Sequence, residues 1–192
     1  MRNTFVVFIL IFIILVIAIF MQLESQNTVF IKSDIDGRYY SVKQLPDAQV
    51  AANLLAKIRS DLIKFSETLY VSRDKYPKNK AYIERLHERI KNTNIKENNR
   101  SYSTSYTINK GDQMVFCIRS KKTNQIHDIN VIMYVALHEI SHIASPEYGH
   151  TELFKNIFAF FIDEASQMGI YKKIDYSKMP VEYCGMMITE SV

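Results

Sequence analysis

This chain of 192 residues contains few cysteines and has a small net charge. It has two cysteines, Cys117 and Cys184, and no CxxC motif, so the sequence allows either one disulfide bond or two thiols in the core. The net charge of +4 is small and scattered. Its one tight basic cluster, residues 119–122, is more typical of a solvated strand end than of a nucleic-acid patch. The sequence therefore gives no reason to expect nucleic acid as a partner.

Charge is entirely absent from one long segment near the N-terminus. Residues 5–21, FVVFILIFIILVIAIFM, are seventeen apolar residues without a glycine or proline. As a helix that includes Leu23, they would span roughly 28 Å, close to the hydrocarbon thickness of about 30 Å. A cleavable signal peptide is the alternative, but the apolar run exceeds the usual ~7–15 residues and MQLESQ offers no small-x-small cleavage site. We therefore expect a membrane location, with a single-pass N-terminal anchor through residues 5–23.

The rest of the chain predicts helices and short hairpins. Alternating segments around an Asp-Gly turn indicate one hairpin within residues 28–43, and a second hairpin is expected within 105–120. Apolar residues at three- and four-residue steps predict helices over 46–69 and 81–90. The asparagine-rich residues 91–101 are typical of an exposed loop.

Histidine is also scarce, yet three of the five histidines lie close together around one predicted helix. Asp128 or Asn130 can cap this helix, whose residues 131–143 are apolar nearly all round and therefore belong in the core. His138 and His142 lie one turn apart, with Cβ atoms about 5–6 Å from each other. Without partners, each buried imidazole would cost about 1–3 kcal/mol, and a shared metal ion would remove that cost.

The spacing of this histidine pair is H-E-x-x-H, which is typical of a zinc-binding helix. In that arrangement the intervening Glu139 lies beside the metal-bound water and can accept its proton. The alternative is a pair of core histidines satisfied without metal, because the pentapeptide can arise by chance. The core helix, the preceding hairpin and a further histidine nearby favour the zinc site.

A third protein ligand would leave the fourth coordination position of zinc for water. His150 follows a break made by Ser145-Pro146, and Gly149 allows the chain to turn back toward the metal. Glu164 is the competing ligand, within the apolar arc of the next predicted helix, residues 151–168. If His150 is the ligand, Glu164 is expected to accept a hydrogen bond from a ligand imidazole.

Residues 138–165, HEISHIASPEYGHTELFKNIFAFFIDEA, resemble the short zincin peptidases of the WLM and SprT-like type. The resemblance covers about residues 100 to 170, and Phe154 matches the aromatic residue after the last ligand. It implies zinc ligands at His138, His142 and His150 and a catalytic acid/base at Glu139. The whole chain is also similar to membrane-anchored zincin-like proteins of large DNA viruses. The seven residues before the third histidine do not match metzincins, and the N-terminal anchor differs from soluble SprT-type repair proteases.

The resemblance implies a membrane-anchored zinc peptidase that hydrolyses a peptide or protein substrate through a zinc-activated water. Residues 114–119 are the strand edge expected to align the peptide. Tyr176 and Tyr183 are candidate oxyanion donors, and packing in the core is the alternative for both. The competing hypothesis is a catalytically inactive, membrane-tethered zincin-like structural or adaptor protein.

These expectations combine into an α+β fold class, with an N-terminal transmembrane helix before a mostly helical zincin-like domain. Short β-hairpins and an active-site HExxH helix complete that domain. Four parts follow along the chain: a transmembrane anchor (1–23), a linker with a β-hairpin (24–45), a helical region (46–99), and a zincin-like metallopeptidase core with a C-terminal tail (100–192).

Overall fold

The computed structural model describes residues 2–25, 27–100 and 102–190, and in the first helix it describes the side chains of 6–17 and 19. The helices and strands of these residues form an α+β architecture, as predicted. In chain order they are α1 (Arg2–Ser25), β1 (Thr28–Lys32), β2 (Tyr39–Lys43), α2 (Ala48–Val71), a 3-10 turn (Arg73–Lys75), α3 (Lys80–Ile90), β3 (Asn94–Glu97), β4 (Tyr106–Ile108), β5 (Gln113–Phe116), α4 (Ile129–Ala144), α5 (Glu152–Gln167), β6 (Val181–Tyr183) and β7 (Met186–Ile188).

The first helix contains the long apolar run, and its large described side chains from Val6 to Ile19 are mostly exposed. Among the residues that the structure describes, no helix is long and apolar enough to cross a membrane. The predicted anchor, residues 5–23, includes side chains that lie outside the described residues. The prediction of a transmembrane helix therefore has no support from the described part of the chain.

Helices α2 to α5 enclose the core. The apolar residues of α2 recur every three or four positions and are buried, as the predicted helix required. The helix packs against α3 and α4, and its Phe65 meets Phe161 of α5 edge-on, with 5.4 Å between ring centroids. The predicted helices over 46–69 and 81–90 are thus confirmed as α2 and α3.

A three-stranded sheet with the order β3-β5-β4 packs against helix α4. Strand β3 lies within residues 91–101 and runs parallel to β5, so the prediction of an exposed loop there was wrong. Ile95 and Glu97 are buried while Asn94 is exposed, but the asparagine-rich composition concealed this alternation. The prediction that 114–119 form a sheet edge was also wrong, since β5 lies between two strands and β4 lies at the edge.

Arg119 is buried, although the basic cluster around it predicts a solvated strand end. Its Nε donates to Oε1 of Glu97 at 2.8 Å, and its Nη1 donates to Oδ2 of Asp47 at 2.5 Å. The second oxygen of Glu97 accepts the backbone N–H of Lys43. This ion pair joins β2, β3, the start of α2 and the segment after β5. Local charge patterning could not predict it, because the two carboxylates come from distant parts of the chain.

The C-terminal segment forms an antiparallel hairpin, β6–β7, that the sequence did not predict. Cys184 and Gly185 form its two-residue turn, and both have positive φ angles, as the tight turn of a hairpin requires. A disulfide bond joins Cys184 to Cys117, which directly follows β5. Of the two alternatives for the cysteines, the structure therefore contains the disulfide.

Candidate metal-binding and catalytic site

Helix α4, which carries the HExxH sequence, begins at Asp128, one of the two caps that the sequence predicts. The side chain of Asp128 accepts the N–H of Asn130 at 2.8 Å, and the helix ends at Ala144, before Pro146. Most of α4 is buried, whereas His138 and His142 are partly exposed on a face that lines a cavity of about 490 Å³. The helix therefore presents both imidazoles to the same open space.

The three predicted histidine ligands meet at one point. The Nε2 atom of His138 lies 3.2 Å from Nε2 of His142 and 3.0 Å from Nε2 of His150. One ligand atom from each lies within 4.8 Å of the others, and no other such group of three was found among the described residues. Ligand nitrogens around tetrahedral zinc are about 3.3 Å apart. The donor set and its spacing fit a zinc ion, and the triad could hold one.

His150 is carried to this point by an ordered turn between α4 and α5. Gly149 has a φ of 78°, and the side chain of Thr151 caps α5 by accepting the N–H of Phe154 at 3.3 Å. Lys110, from the β4–β5 turn, donates to the backbone carbonyl oxygens of Ser145 and Glu147. The turn is thus tied to the sheet, a role of Lys110 that the sequence did not reveal.

The ring of Phe154 packs against the imidazoles of the triad. It stacks on the imidazole of His142, with 4.2 Å between centroids and 27° between planes, and it also meets His138 edge-on at 4.9 Å. This apolar contact restricts the rotation of both rings. Phe154, the aromatic residue after the third histidine, therefore orients the rings of His138 and His142.

Burial controls the protonation of the two helical histidines. Desolvation, with the neighbouring histidines as a smaller cause, lowers the pKa of His138 to about 3 and that of His142 to about 4. Both imidazoles are therefore neutral near pH 7, and the neutral ring is the form that binds a metal.

Glu139 lines the same cavity as the histidines but is only 4% exposed. Desolvation raises the pKa of its carboxyl to about 7, and a hydrogen bond from Thr107 partly opposes that rise. The Oγ1 of Thr107 donates to Oε2 of Glu139 at 2.8 Å. A carboxylate with a pKa near 7 is suited to accept and return a proton at neutral pH. Thr107 was missed by sequence reasoning, because its contact spans 32 residues.

Glu164, the competing third ligand, is not brought to the triad. It is buried on α5, where its Oε2 accepts the hydroxyl of Tyr76 at 2.8 Å. This hydrogen bond is the main cause of a raised pKa for Tyr76. In this structure Glu164 pairs with a tyrosine, and His150 occupies the third position.

The two tyrosines proposed as oxyanion donors have different surroundings. Tyr183 lines the cavity, and its hydroxyl lies 2.6 Å from Oγ of Ser105. Burial raises the pKa of Tyr183, and the negative charge of Glu139 adds to the rise, so the hydroxyl keeps its proton. Tyr176 packs edge-on against Tyr134, at 4.8 Å between centroids, and does not line this cavity.

The comparisons with known proteins place this chain in a viral group. No family model matches it. Uncharacterized protein R325 of Acanthamoeba polyphaga mimivirus is 40% identical over 195 aligned positions, which cover 99% of this chain and 98% of that protein. Uncharacterized protein 136R of Invertebrate iridescent virus 6 is 44% identical over 69 residues, or 35% of this chain, and the match spans only 38% of that relative.

Solved structures of Wss1 from Saccharomyces cerevisiae are similar at a lower level. One crystal structure is 20% identical and has a TM-score of 0.47, with coverage of 65% of this chain and 85% of that one. A mutant of the same protein has a TM-score of 0.49 at 19% identity, covering 68% and 91%. The full-length match to the mimivirus protein shows the family: this chain belongs to the family of the mimivirus protein R325.

Proposed function

We propose that the protein is a zinc-dependent peptidase, with His138, His142 and His150 as the metal ligands and Glu139 as the general base. One observation carries the proposal: three imidazole nitrogens converge within 4.8 Å, and a buried carboxylate lies directly beside the first of them in sequence. A bound zinc ion would supply an acidified water and polarise the scissile carbonyl.

In this proposal a side chain of the protein transfers the proton of the attacking water. Glu139 accepts it from the attacking water and passes it to the leaving amine. The hydrogen bond from Thr107 holds Oε2 of Glu139, which leaves Oε1 for the proton. The hydroxyl of Tyr183 is the proposed donor to the oxyanion. It lines the same cavity as the triad, and it is close enough to Glu139 for that carboxylate to raise the pKa of Tyr183.

The edge strand β4 is the proposed guide for the substrate. It lies at the edge of the sheet among the described strands, and its Tyr106 and Thr107 line the cavity beside the triad. A peptide added to this edge would gain backbone hydrogen bonds and pass close to the metal. Residues 106–108, rather than the predicted residues 114–119, are thus the strand edge proposed to align the substrate peptide.

The experiment that tests this function compares wild-type protein with Glu139→Gln. The wild type should bind about one zinc ion per chain and cleave a denatured protein substrate. The variant should keep its zinc, measured by elemental analysis, and lose most of the cleavage, because general acid–base catalysis contributes about 10²–10⁴-fold. Equal cleavage by the two proteins, or a wild type that takes up no metal, would contradict the proposal.

An inactive structural or adaptor protein is the competing function, and the same assay separates it. Such a protein would bind zinc but cleave nothing. The structure favours the enzyme on one point. A structural zinc site usually closes all four positions with protein ligands, whereas this triad faces a cavity of about 490 Å³.

We also propose that residues 5–23 attach the protein to a membrane. The support is the uncharged run of residues 5–21 and the exposure of large side chains such as Phe8 and Phe12, each 67% exposed. Full-length protein should float with lipid vesicles in a density gradient. A variant with Phe8→Glu, Phe12→Glu and Leu15→Glu should stay at the bottom, and flotation of both would count against the proposal.

A further inference from the structure

We propose that the C-terminal hairpin β6–β7 forms a specificity wall, with Met186 and Ile188 selecting substrates that carry a large apolar side chain next to the scissile bond. This inference rests on the proposed peptidase function and names its substrate class. The wall is defined by Tyr183, Met186 and Ile188, which line the same cavity as the histidine triad.

Met186 and Ile188 lie on the face of β7 opposite to that of Met187. Side chains alternate across a strand, so Met186 and Ile188 point to one face of β7 and Met187 points to the other. The cavity lining agrees, since it includes the first two and not Met187. Met186 and Met187 are almost equally exposed, at 57% and 56%. Met187 is therefore a matched control for Met186 in a test of the wall.

Helix α4 also contributes apolar groups to the cavity. Tyr134 and Val135 lie four and three residues before His138 on α4, so they share its face, and both line the cavity. The hydroxyl of Tyr134 contacts Glu190, two residues after β7. A substrate side chain placed beside the triad would thus be able to contact apolar groups from both α4 and β7.

The charges of the cavity disfavour a charged substrate side chain. Among the described residues that line it, Glu139 is the only carboxylic acid and Lys110 is the only lysine or arginine. Glu139 is committed to the proposed proton transfer, and the ammonium of Lys110 donates to the carbonyl oxygens of Ser145 and Glu147. Neither is available to pair with a substrate, whereas burial of an apolar side chain needs no partner.

Three attachments hold the wall in place. The disulfide bond fixes the turn at Cys184, the hydroxyl of Tyr183 contacts Ser105, and the hydroxyl of Tyr134 donates to the backbone oxygen of Glu190 at 3.0 Å. A pocket wall fixed before the substrate arrives loses little conformational freedom on binding. The hairpin is thus suited to discriminate between side chains.

The test uses zinc-loaded full-length protein and fluorogenic peptides that differ only at the two residues flanking the cleaved bond. Peptides with Leu or Phe at those two positions should have a kcat/KM at least about tenfold above that of peptides with Ser or Glu. The reason is that the smaller or charged side chain loses the apolar contact of buried methylenes with the pocket. Met186→Ser should reduce this preference and leave zinc content unchanged. The matched control, Met187→Ser, should behave like the wild type.

A charge-introducing variant strengthens the test. Met186→Lys should raise the kcat/KM for the Glu peptides relative to the Leu peptides, because a cation then lies on the wall. The inference is overturned if the wild type shows no apolar preference, or if Met187→Ser alters the preference as much as Met186→Ser does.

Binding to the Glu139→Gln protein, measured by fluorescence anisotropy, distinguishes this inference from the peptidase proposal. Tighter binding of Leu peptides than of Ser peptides, together with no cleavage by the wild type, would contradict the peptidase and support the wall. Cleavage without any difference in binding or rate between the peptides would contradict the wall alone.

Discussion

Two regions of the chain build one cavity in different ways. The histidine-triad region, residues 138–150, brings its three histidines together through one helix and the turn that follows it. The hairpin β6–β7 reaches the same cavity from more than thirty residues downstream, and it is held there by a disulfide to residue 117. The first region depends on local backbone geometry, and the second depends on contacts between distant segments. Metal binding and substrate selection should therefore respond to different mutations.

The largest expected effect concerns the histidine-triad region. His150→Ala should abolish stoichiometric zinc binding, because only two helical ligands remain for a site that needs three protein ligands. Glu164→Ala should keep the zinc, since the structure pairs this carboxylate with Tyr76. Elemental analysis of both purified variants measures the difference. Loss of zinc from Glu164→Ala alone would reverse the assignment.

The hairpin should affect catalysis without affecting the metal. Tyr183→Phe removes the proposed oxyanion donor and should lower kcat by about 10²–10³-fold at unchanged zinc content. Tyr176→Phe is the control, because that ring packs in the core against Tyr134. Steady-state kinetics on one peptide is sufficient. A fall in zinc content for Tyr183→Phe would show that the two regions are not separate.

Loss of the disulfide should weaken the fold and loosen the hairpin. A disulfide that closes 67 residues restricts the unfolded chain, and its loss should lower the free energy of unfolding by about 2–5 kcal/mol. Cys117→Ser with Cys184→Ser should thus lower the melting temperature and raise KM, while zinc stays bound. Denaturant unfolding and metal analysis measure the two effects. Unchanged KM would mean that the hairpin keeps its position without the bond.

The smallest expected effect comes from the contact between the edge strand and the base. Thr107→Val removes the hydrogen bond to Glu139 and should lower kcat about tenfold, the equivalent of about 1.4 kcal/mol. This hydrogen bond lowers the pKa of Glu139, so its loss should move the acid limb of the activity profile to higher pH. Thr107→Ser keeps a hydroxyl and should restore both quantities. A pH profile of kcat/KM distinguishes this role from simple loss of packing.

Several parts of the fold could be predicted because their signals are local. The apolar spacing of α2 and α3 matched their buried faces, and Asp128 began α4 as a capping residue should. The parts that were wrong or missing depend on partners elsewhere. Strand β3 was concealed by an asparagine-rich composition, and buried Arg119 was taken for a surface residue because its carboxylate partners lie 22 and 72 positions away.

The candidate site divides in the same manner. His138, Glu139 and His142 follow from one turn of helix, and His150 follows from the break after it. Glu164 was the competing third ligand because it falls within the apolar arc of α5, and only the tertiary structure placed it beside Tyr76 instead. Thr107, Ser105 and Lys110 carried no sequence signal, since each acts on a residue that is distant along the chain.

The sequence by itself predicted the α+β class, the core position of α4 and the pairing of His138 with His142 on one face of that helix, because helical periodicity acts over a few residues. It left His150 and Glu164 as alternatives for the third position. Only the tertiary structure decided which carboxylate stays away from the triad, which strand lies at the sheet edge, and which hairpin closes the cavity. The physical reason is the range of the interactions: backbone geometry is local, whereas burial, ion pairing and the disulfide join residues whose separation in sequence carries no information about their distance in space.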